Sequence, residues 1–357
     1  MRFKLLIPVL FLICLFWLKP LQAAEHAVVL LYHHVGEDTP AITSVTPDRF
    51  AEHLNYLHKH GFHILPLDEL TRKLANRQPL PEKSIAITFD DGYRSVLEHA
   101  VPLLKKRNWP FAVFVNPQAI DHRFGAYMNW DELRQVKRAG GAIVNHTMRH
   151  DHLVRHLFGE SDSAWRERVK ADISKAQQRI ETETGAAPRL FAYPYGEFDP
   201  ALKKLLQDMG YTAFAQQSGA VGYLSDPQAL PRFPVMGTYA VKELFQQRVN
   251  SRPLPLTVLT GDENVLPADQ RRPVLALQLG NGDFDKHALN CYLAGKPMHI
   301  NWLDREKDIF EIQADQPLAA GRSKYTCTVQ AKDNHHSYYW YSHLWMLPYS
   351  DGSWPKE

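Results

Sequence analysis

The sequence is poor in cysteine, with three among 357 residues. That scarcity excludes a scaffold stapled by many disulfides. Cys14 lies inside an apolar N-terminal run, so Cys291 and Cys327 are the pair left to form a bridge. One bridge in an oxidising compartment and two separate buried thiols both fit the sequence. An excess of charge of one sign is also missing. There are 41 Lys and Arg against 39 Asp and Glu, so net charge gives no electrostatic support to a nucleic-acid partner. Low-complexity tracts and internal repeats are absent, which removes repeat architectures.

The one long apolar run is at the N-terminus. Arg2 and Lys4 precede it, residues 5–18 carry no charge, and Leu21-Gln22-Ala23-Ala24 offers small residues for cleavage. This is the layout of a secretory signal peptide over residues 1–24. The run is short for a membrane span, which needs roughly 20 residues. A cleaved leader therefore predicts an exported protein, periplasmic or associated with the cell envelope and not stably inserted in a membrane. An uncleaved N-terminal anchor is the other reading. Removing the segment takes Arg2, Lys4 and Lys19 and no acid, leaving 38 basic against 39 acidic residues.

Beyond the leader, apolar runs alternate with segments of helical periodicity. Residues 27–32 read as a buried strand ending in Tyr32-His33-His34. Thr46 and Pro47 mark a helix start. Phe50, Leu54 and Leu57 then recur at helical spacing until Gly61. Further strands are expected at 62–65, 85–89, 111–115, 142–145, 190–193 and 212–215. Helices are expected at 67–74, 93–107, 130–139, 164–184, 200–209 and 241–249. Strands alternating with helices imply a parallel sheet covered by helices. About seven such units predict an α/β domain, a closed or nearly closed β/α barrel over residues 25–252. Chemistry in that architecture sits at the C-terminal ends of the strands.

The texture changes after residue 249. Arg252-Pro253-Leu254-Pro255 reads as a linker. Short strands are expected at 274–279, 298–303, 309–313, 325–330 and 337–344, separated by turn signals such as Gly280-Asn281-Gly282. They predict an all-β, sandwich-like accessory domain over residues 256–357. Within it Tyr338-Tyr339-Trp340-Tyr341, with Trp345 beyond, is strongly aromatic. A sugar-stacking surface is one reading, and strand core plus inter-domain packing is the other.

Residues 85–92 organise the chain: an apolar strand ends in two adjacent carboxylates, Asp90 and Asp91, and then Gly92. Two carboxylates side by side are costly unless a cation lies between them. His146 and His150 follow another expected strand and stand four positions apart. One carboxylate and two neutral imidazoles, here Asp91, His146 and His150, form a common facial set for a catalytic divalent metal. Zinc fits best on ligand type, and other first-row metals suit the geometry. Such a metal lowers the pKa of a bound water toward neutrality, and Asp90 beside it would act as general base. A pair of helix-capping aspartates and surface histidines, in a chain with 18 histidines, is the plain alternative. His33 and Tyr195 also fall at strand ends, and this shared placement groups them with the rest.

Thr88-Phe89-Asp90-Asp91-Gly92 resembles the first motif of the polysaccharide deacetylases, carbohydrate esterase family 4. His146-Thr147-Met148-Arg149-His150 resembles the second, and Phe191-Ala192-Tyr193-Pro194-Tyr195-Gly196 the third. Motif order and approximate spacing agree over about residues 27–249. The resemblance implies a distorted (β/α)7-type barrel that removes acetyl groups from N-acetylated sugars. Asp90 would be the base, and Asp91, His146 and His150 the metal ligands. Tyr195 would supply the backbone N–H that helps the metal hold an oxyanion.

Two family features are displaced. Ala192 stands where an arginine often orients the base, and Arg189 is the nearby cation to consider as its substitute. The late Leu-x-His motif is not visible, but Leu31-Tyr32-His33 has its pattern, near the N-terminus as in exported poly-N-acetylglucosamine deacetylases of permuted motif order. His33 is then the candidate acid that protonates the departing amine, and His34 is the neighbour most easily confused with it. The expectation is an exported metal-dependent N-deacetylase acting on a β-linked N-acetylglucosamine polysaccharide, an exopolysaccharide first. Peptidoglycan or chitin oligomers are the substrate alternatives. A non-catalytic glycan-binding protein on a degenerate scaffold is the alternative class, and an amidase of another substrate shares the metal chemistry.

Overall fold

The computed structural model describes residues 23–355. The leader expected at residues 1–24 lies outside them except for Ala23 and Ala24, which pair antiparallel with Pro81 and Leu80. Among the described residues no helix is long and apolar enough to cross a membrane.

A curled parallel sheet carries the N-terminal part of the chain. Its strands are β1 His26–Tyr32, β2 Ser84–Phe89, β3 Phe111–Val115, β4 Gly141–Asn145, β5 Leu190–Ala192, β6 Thr212–Phe214 and β7 Phe233–Pro234. Neighbours run in the order β6-β5-β4-β3-β2-β1-β7. Every residue of β2 and β3 is buried, as the continuous apolar runs require of parallel strands covered on both faces. The connecting helices are α1 Pro47–Lys59, α2 Leu67–Ala75, α3 Val101–Lys106, α4 Trp130–Arg138, α5 Asp162–Thr184, α6 Pro200–Asp208 and α7 Lys242–Val249. Side-chain caps fix several starts: Thr46 accepts from the Arg49 N–H, and Asn129 and Glu132 form a capping box. The helix expected at 93–107 opens late and wide. Val96–Ala100 is a π turn in which the Val101 N–H donates to Val96 O. Pro102 has no N–H to carry the ordinary α pattern through this point.

The sheet curls until its edges meet through one short segment. β7 pairs with β1 at Leu30 and Leu31. Just before it, the Ala215 N–H donates to Leu230 O and the Leu230 N–H to Ala213 O, both 2.9 Å. Residues 230–234 thus tie β6 to β1. Two residues of strand beside Pro231 and Pro234 carry no readable pattern, so nothing was expected there.

Two sheets stack in the C-terminal part. One is β8 Leu256–Thr260, β9 Val274–Leu279, β13 Ile309–Gln313 and β12 Ile300–Asp304 in that order. The other contains β10 Asn290–Leu293, β11 Lys296–Met298, β14 Gly321–Gln330 and β15 Tyr338–Leu347, with β15 beside β14, then β10 and β11. Leu275, Leu277, Phe310 and Ile312 of the first sheet meet Cys327, Val329, Trp345 and Leu347 of the second in one core. Cys291 and Cys327 lie opposite each other on β10 and β14 and form a disulfide.

The expected linker is part of this sheet. Arg252 and Pro253 pair in parallel with Tyr339 and Trp340 of β15, and Leu254 is buried. Pro253 is tolerated because the pairing is at a sheet edge. Strand alternation then gives β15 two partners. Trp340 stands edge-on to Phe233 of β7 at 5.3 Å, and Leu344 and Met346 pack with Phe191, Tyr193 and Ala213. Tyr339, Tyr341, Trp345 and Leu347 face the sandwich core. The aromatic segment is therefore used in packing between the two parts.

Candidate metal centre and catalytic cleft

Two carboxylates at the end of β2 separate by backbone conformation. The Asp90 N–H still donates to Tyr32 O, 2.9 Å, as the ladder's last bond. Asp91 (φ 71°) and Gly92 (φ 78°) then adopt left-handed conformations and turn the chain away. Position 92 needs glycine twice over, because a Cβ there would also lie 3.0 Å from Val115 Cγ1. Asp90 ends fully buried, whereas Asp91 lines the cleft beside His33, Tyr93, His150 and Tyr195.

β4 ends at Asn145 and delivers His146. The two histidines are presented by a loop rather than by a helical turn. Thr147 (φ 69°) and His150 (φ 61°) are left-handed, and the loop is pinned from within. Asn145 Oδ1 accepts from the Thr147 N–H (2.9 Å), Thr147 Oγ1 from the His150 N–H (2.8 Å), and Asp172 Oδ2 from the Met148 N–H (2.8 Å). Left-handed backbone in residues with a Cβ costs on the order of 1–3 kcal/mol each and tends to gather at functional sites. Asp91, Thr147, His150 and Tyr195 (φ 58°) gather here.

The donor set fits a divalent metal. His146 Nδ1 lies 2.8 Å from Ala192 O, which fixes the proton on Nδ1 and leaves the Nε2 lone pair for ligation. That Nε2 is buried with no hydrogen-bond partner, an arrangement costly without an occupant. Asp91 Oδ1 lies 3.5 Å from His146 Nε2 and 3.3 Å from His150 Nε2, and the three ligand atoms fall within 4.8 Å of one another. Tetrahedral zinc ligands of these types would stand about 3.3 Å apart. Burial and the neighbouring His146 push His150 down to about 4, so its ring is neutral at pH 7. Burial pushes the Asp91 carboxyl up, but His146, His33 and His150 more than offset this and hold it below the usual carboxylate range.

Beneath Asp91 lies the residue that sequence reasoning missed. Arg232, between Pro231 and β7, reaches Asp90 through two hydrogen bonds: Nη1 to Oδ1 and Nη2 to Oδ2, each 2.7 Å. Both side chains are fully buried. Nε donates to Ala215 O at 2.9 Å, and Nη1 also meets Thr88 Oγ1 at 3.3 Å. Burial alone would raise the Asp90 carboxyl, yet the guanidinium, with His146 and His33, holds it below the ordinary value. Each carboxylate oxygen keeps a second lone pair. Arg189, the cation considered from sequence, instead lies over the Tyr211 ring, 5.5 Å from its centroid. The only signal for Arg232 in the sequence is one charge inside Ala229-Leu230-Pro231-Arg232-Phe233-Pro234-Val235, and such a charge has to be paired.

Removing one partner of a buried ion pair costs about 3–5 kcal/mol. Arg232→Ala is therefore expected to lower urea stability by that order and to abolish most turnover. It should leave the metal set loaded, because Arg232 touches none of the three ligands. Metal content and unfolding measured on one preparation check this, and a stable Arg232→Ala protein of normal turnover would remove the role.

His33 and His34 diverge. His33 lines the cleft with Asp91 and Tyr195, and its Nδ1 is buried without a partner. His34 is buried and does not line the cleft; it stacks on Tyr93 at 3.6 Å, and burial and His33 push it down to about 4. Tyr195 sits in a tight turn after β5. Its ring is edge-on to His150 (4.6 Å) and stacked on His152 (3.8 Å). The cleft is completed by Arg322, which comes from β14.

Residues 77–214 match the family model described as polysaccharide deacetylase. The chain is 23% identical over 257 residues to the poly-beta-1,6-N-acetyl-D-glucosamine N-deacetylase of Escherichia coli strain K12, covering 62% of this chain and 38% of that protein's length. It is 25% identical over 197 residues to the protein of the same name from Staphylococcus epidermidis, covering 54% and 68%. Among solved structures it is similar to IcaB from Ammonifex degensii, with 26% identity, a TM-score of 0.54 and coverage of 61% of this chain and 95% of that one. The Streptococcus pyogenes deacetylase PplD shares the fold at TM-score 0.57 and 19% identity, covering 64% and 99%.

Proposed function

We propose that this chain, whose residues 77–214 match the polysaccharide deacetylase family model, is a metal-dependent hydrolase of N-acetyl groups on a β-linked N-acetylglucosamine polysaccharide. The observation that carries this reading is the paired site: Asp91, His146 and His150 bring their ligand atoms together, and the adjacent Asp90 is held by Arg232. A glycan-binding protein has no use for a buried carboxylate oriented in this way. A β-1,6-linked N-acetylglucosamine polymer, an exopolysaccharide, is the favoured substrate because relatives are named poly-beta-1,6-N-acetyl-D-glucosamine N-deacetylase. The leader-like N-terminus and the disulfide support export to the periplasm or cell envelope. Residues 25–252 are proposed as the catalytic part and 256–357 as the accessory part.

A divalent ion, zinc by ligand type, held by Asp91, His146 and His150 would supply Lewis acidity toward water and the acetyl carbonyl. Asp90 accepts the proton that the attacking water gives up. Arg232 keeps that carboxylate ionised and aimed until the moment of transfer. The Tyr195 N–H meets the charge that develops on the carbonyl oxygen. His33, which lines the same cleft, donates a proton to the amine as the C–N bond breaks. The products are acetate and a glucosamine unit, so atoms and charge balance with one water consumed.

The test is acetate release from β-1,6-linked N-acetylglucosamine oligomers, run beside β-1,4 oligomers and peptidoglycan fragments. Release from the β-1,6 series above the others is expected. Release from none of them, by protein carrying a full complement of metal, would overturn the proposal.

A further inference from the structure

The C-terminal sheet is part of the cleft and not an appendage to it. Along β14, Tyr325, Cys327 and Val329 point into the sandwich core. Strand alternation puts Arg322 and Lys324 on the opposite face, and both reach loops at the C-terminal end of the barrel. Arg322 Nη1 donates to Tyr195 O at 3.2 Å and lies 3.5 Å from Glu197 Oε1, with its guanidinium carbon 5.5 Å from the Tyr195 ring centroid. Lys324 Nζ donates to Gln216 O at 2.9 Å. The two loops also touch each other, since a Cβ at Gly196 would meet Gln216 Cβ at 2.6 Å.

We propose that Arg322 is a positioning residue for the reaction: it holds the Tyr195 turn in the conformation that directs the Tyr195 N–H at the reacting carbonyl. The inference rests on the deacetylase reading of the site. Its physical basis is the backbone of Tyr195, at φ 58° and ψ 2°, a left-handed conformation that an aromatic residue adopts only when its surroundings hold it there. The peptide carbonyl of that same residue is what Arg322 grips. Nη1 meets both the Tyr195 carbonyl and the Glu197 carboxylate, while the flat guanidinium lies over the Tyr195 ring, a combination of donor and planar face that a lysine does not reproduce. Glu197 is itself anchored on the barrel side by His152 Nδ1 (2.8 Å) and Arg155 Nη2 (3.2 Å). The guanidinium therefore ties β14 to the turn that follows β5. Lys324 fastens the adjacent loop in the same way, so β14 clamps the ends of β5 and β6 together.

The test uses the full chain with Arg322→Ala and Arg322→Lys. Two quantities are read: kcat and KM for acetate release, and amide hydrogen exchange across residues 193–198. Arg322→Ala should lower kcat by about 10- to 100-fold, somewhat less than loss of an oxyanion donor itself. KM and metal content should stay near the parent values, and exchange should speed up in the Tyr195 turn and not in β1 or β2. Arg322→Lys should recover part of kcat, and added methylguanidinium should restore some turnover to Arg322→Ala. Parent values of kcat and exchange in Arg322→Ala would overturn the inference, and so would a loss carried by KM alone, which would make Arg322 a substrate contact. If the parent chain releases no acetate while the turn still loosens in Arg322→Ala, the deacetylase reading falls and the clamp stands.

Discussion

Asp90→Asn is expected to reduce acetate release by about 10³-fold, the order that a positioned general base contributes, while the protein keeps its metal. Asparagine has nearly the shape of aspartate but cannot take a proton from water. Residue 90 is not one of the ligand set Asp91, His146 and His150, so metal content should match the parent. Stability should fall as well. Arg232 is fully buried with both terminal nitrogens on Asp90. The amide presents one oxygen and one NH2 to a guanidinium that needs two acceptors, and a buried charge without its counter-charge costs about 3–5 kcal/mol. The diagnostic pattern is thus loaded metal, a lowered unfolding midpoint and almost no turnover. Turnover within ten-fold of the parent would remove Asp90 as the base.

Emptying the metal centre should have an effect at least as large. Dialysis against a strong chelator is expected to bring acetate release to the background rate, and stoichiometric zinc to restore it. His146→Ala should do the same irreversibly. His146 is buried, is oriented by Ala192 O, and offers the Nε2 that has no other partner. Structural and catalytic roles separate through the unfolding midpoint. The ion should stabilise the parent chain by mass action and leave His146→Ala unmoved. Full activity in protein shown by elemental analysis to be metal-free would sink the mechanism.

The site was partly legible because its carriers are local in sequence. Asp90, Asp91 and Gly92 follow directly from the apolar run of β2, and His146 directly from β4. The separation of Asp90 from Asp91 was foreshadowed by Gly92, but its cause is the left-handed backbone at Asp91 itself. His33 and His34 could not be told apart from residue type. Only tertiary packing decides that His33 lines the cleft and that His34 stacks on Tyr93. Arg232 was out of reach for a different reason. It lies 142 positions from Asp90, in a segment too short to show a strand pattern. The missing cation at Ala192 was visible as an absence; the cation on Asp90 comes from Arg232, just before β7, in the segment that joins the two edges of the curled sheet.

The C-terminal part shows the same division. Its strands announced themselves by alternation and turn residues, and Cys291 and Cys327 by being the pair left over. Residues 252–255 read as a linker because prolines mark both a connection and a sheet edge; the structure pairs Arg252 and Pro253 with Tyr339 and Trp340 of β15. The aromatic run of β15 could face sugar, sandwich or barrel. It divides by alternation between sandwich and barrel, because both apolar cores meet there.

By itself, the sequence determined the alternating α/β order, the strand ends at which chemistry collects and the residue types of a metal centre, since these depend on local pattern and ligand chemistry. The tertiary structure decided the rest: which cation steadies Asp90, which histidine reaches the cleft, and that β14 of the second sheet supplies part of its wall. Those are matters of distance between residues far apart in the chain, and no local propensity carries them. The pair at residues 90 and 91 needed both: adjacency in sequence supplied two like charges, and the fold gave Asp91 two imidazoles and Asp90 a guanidinium.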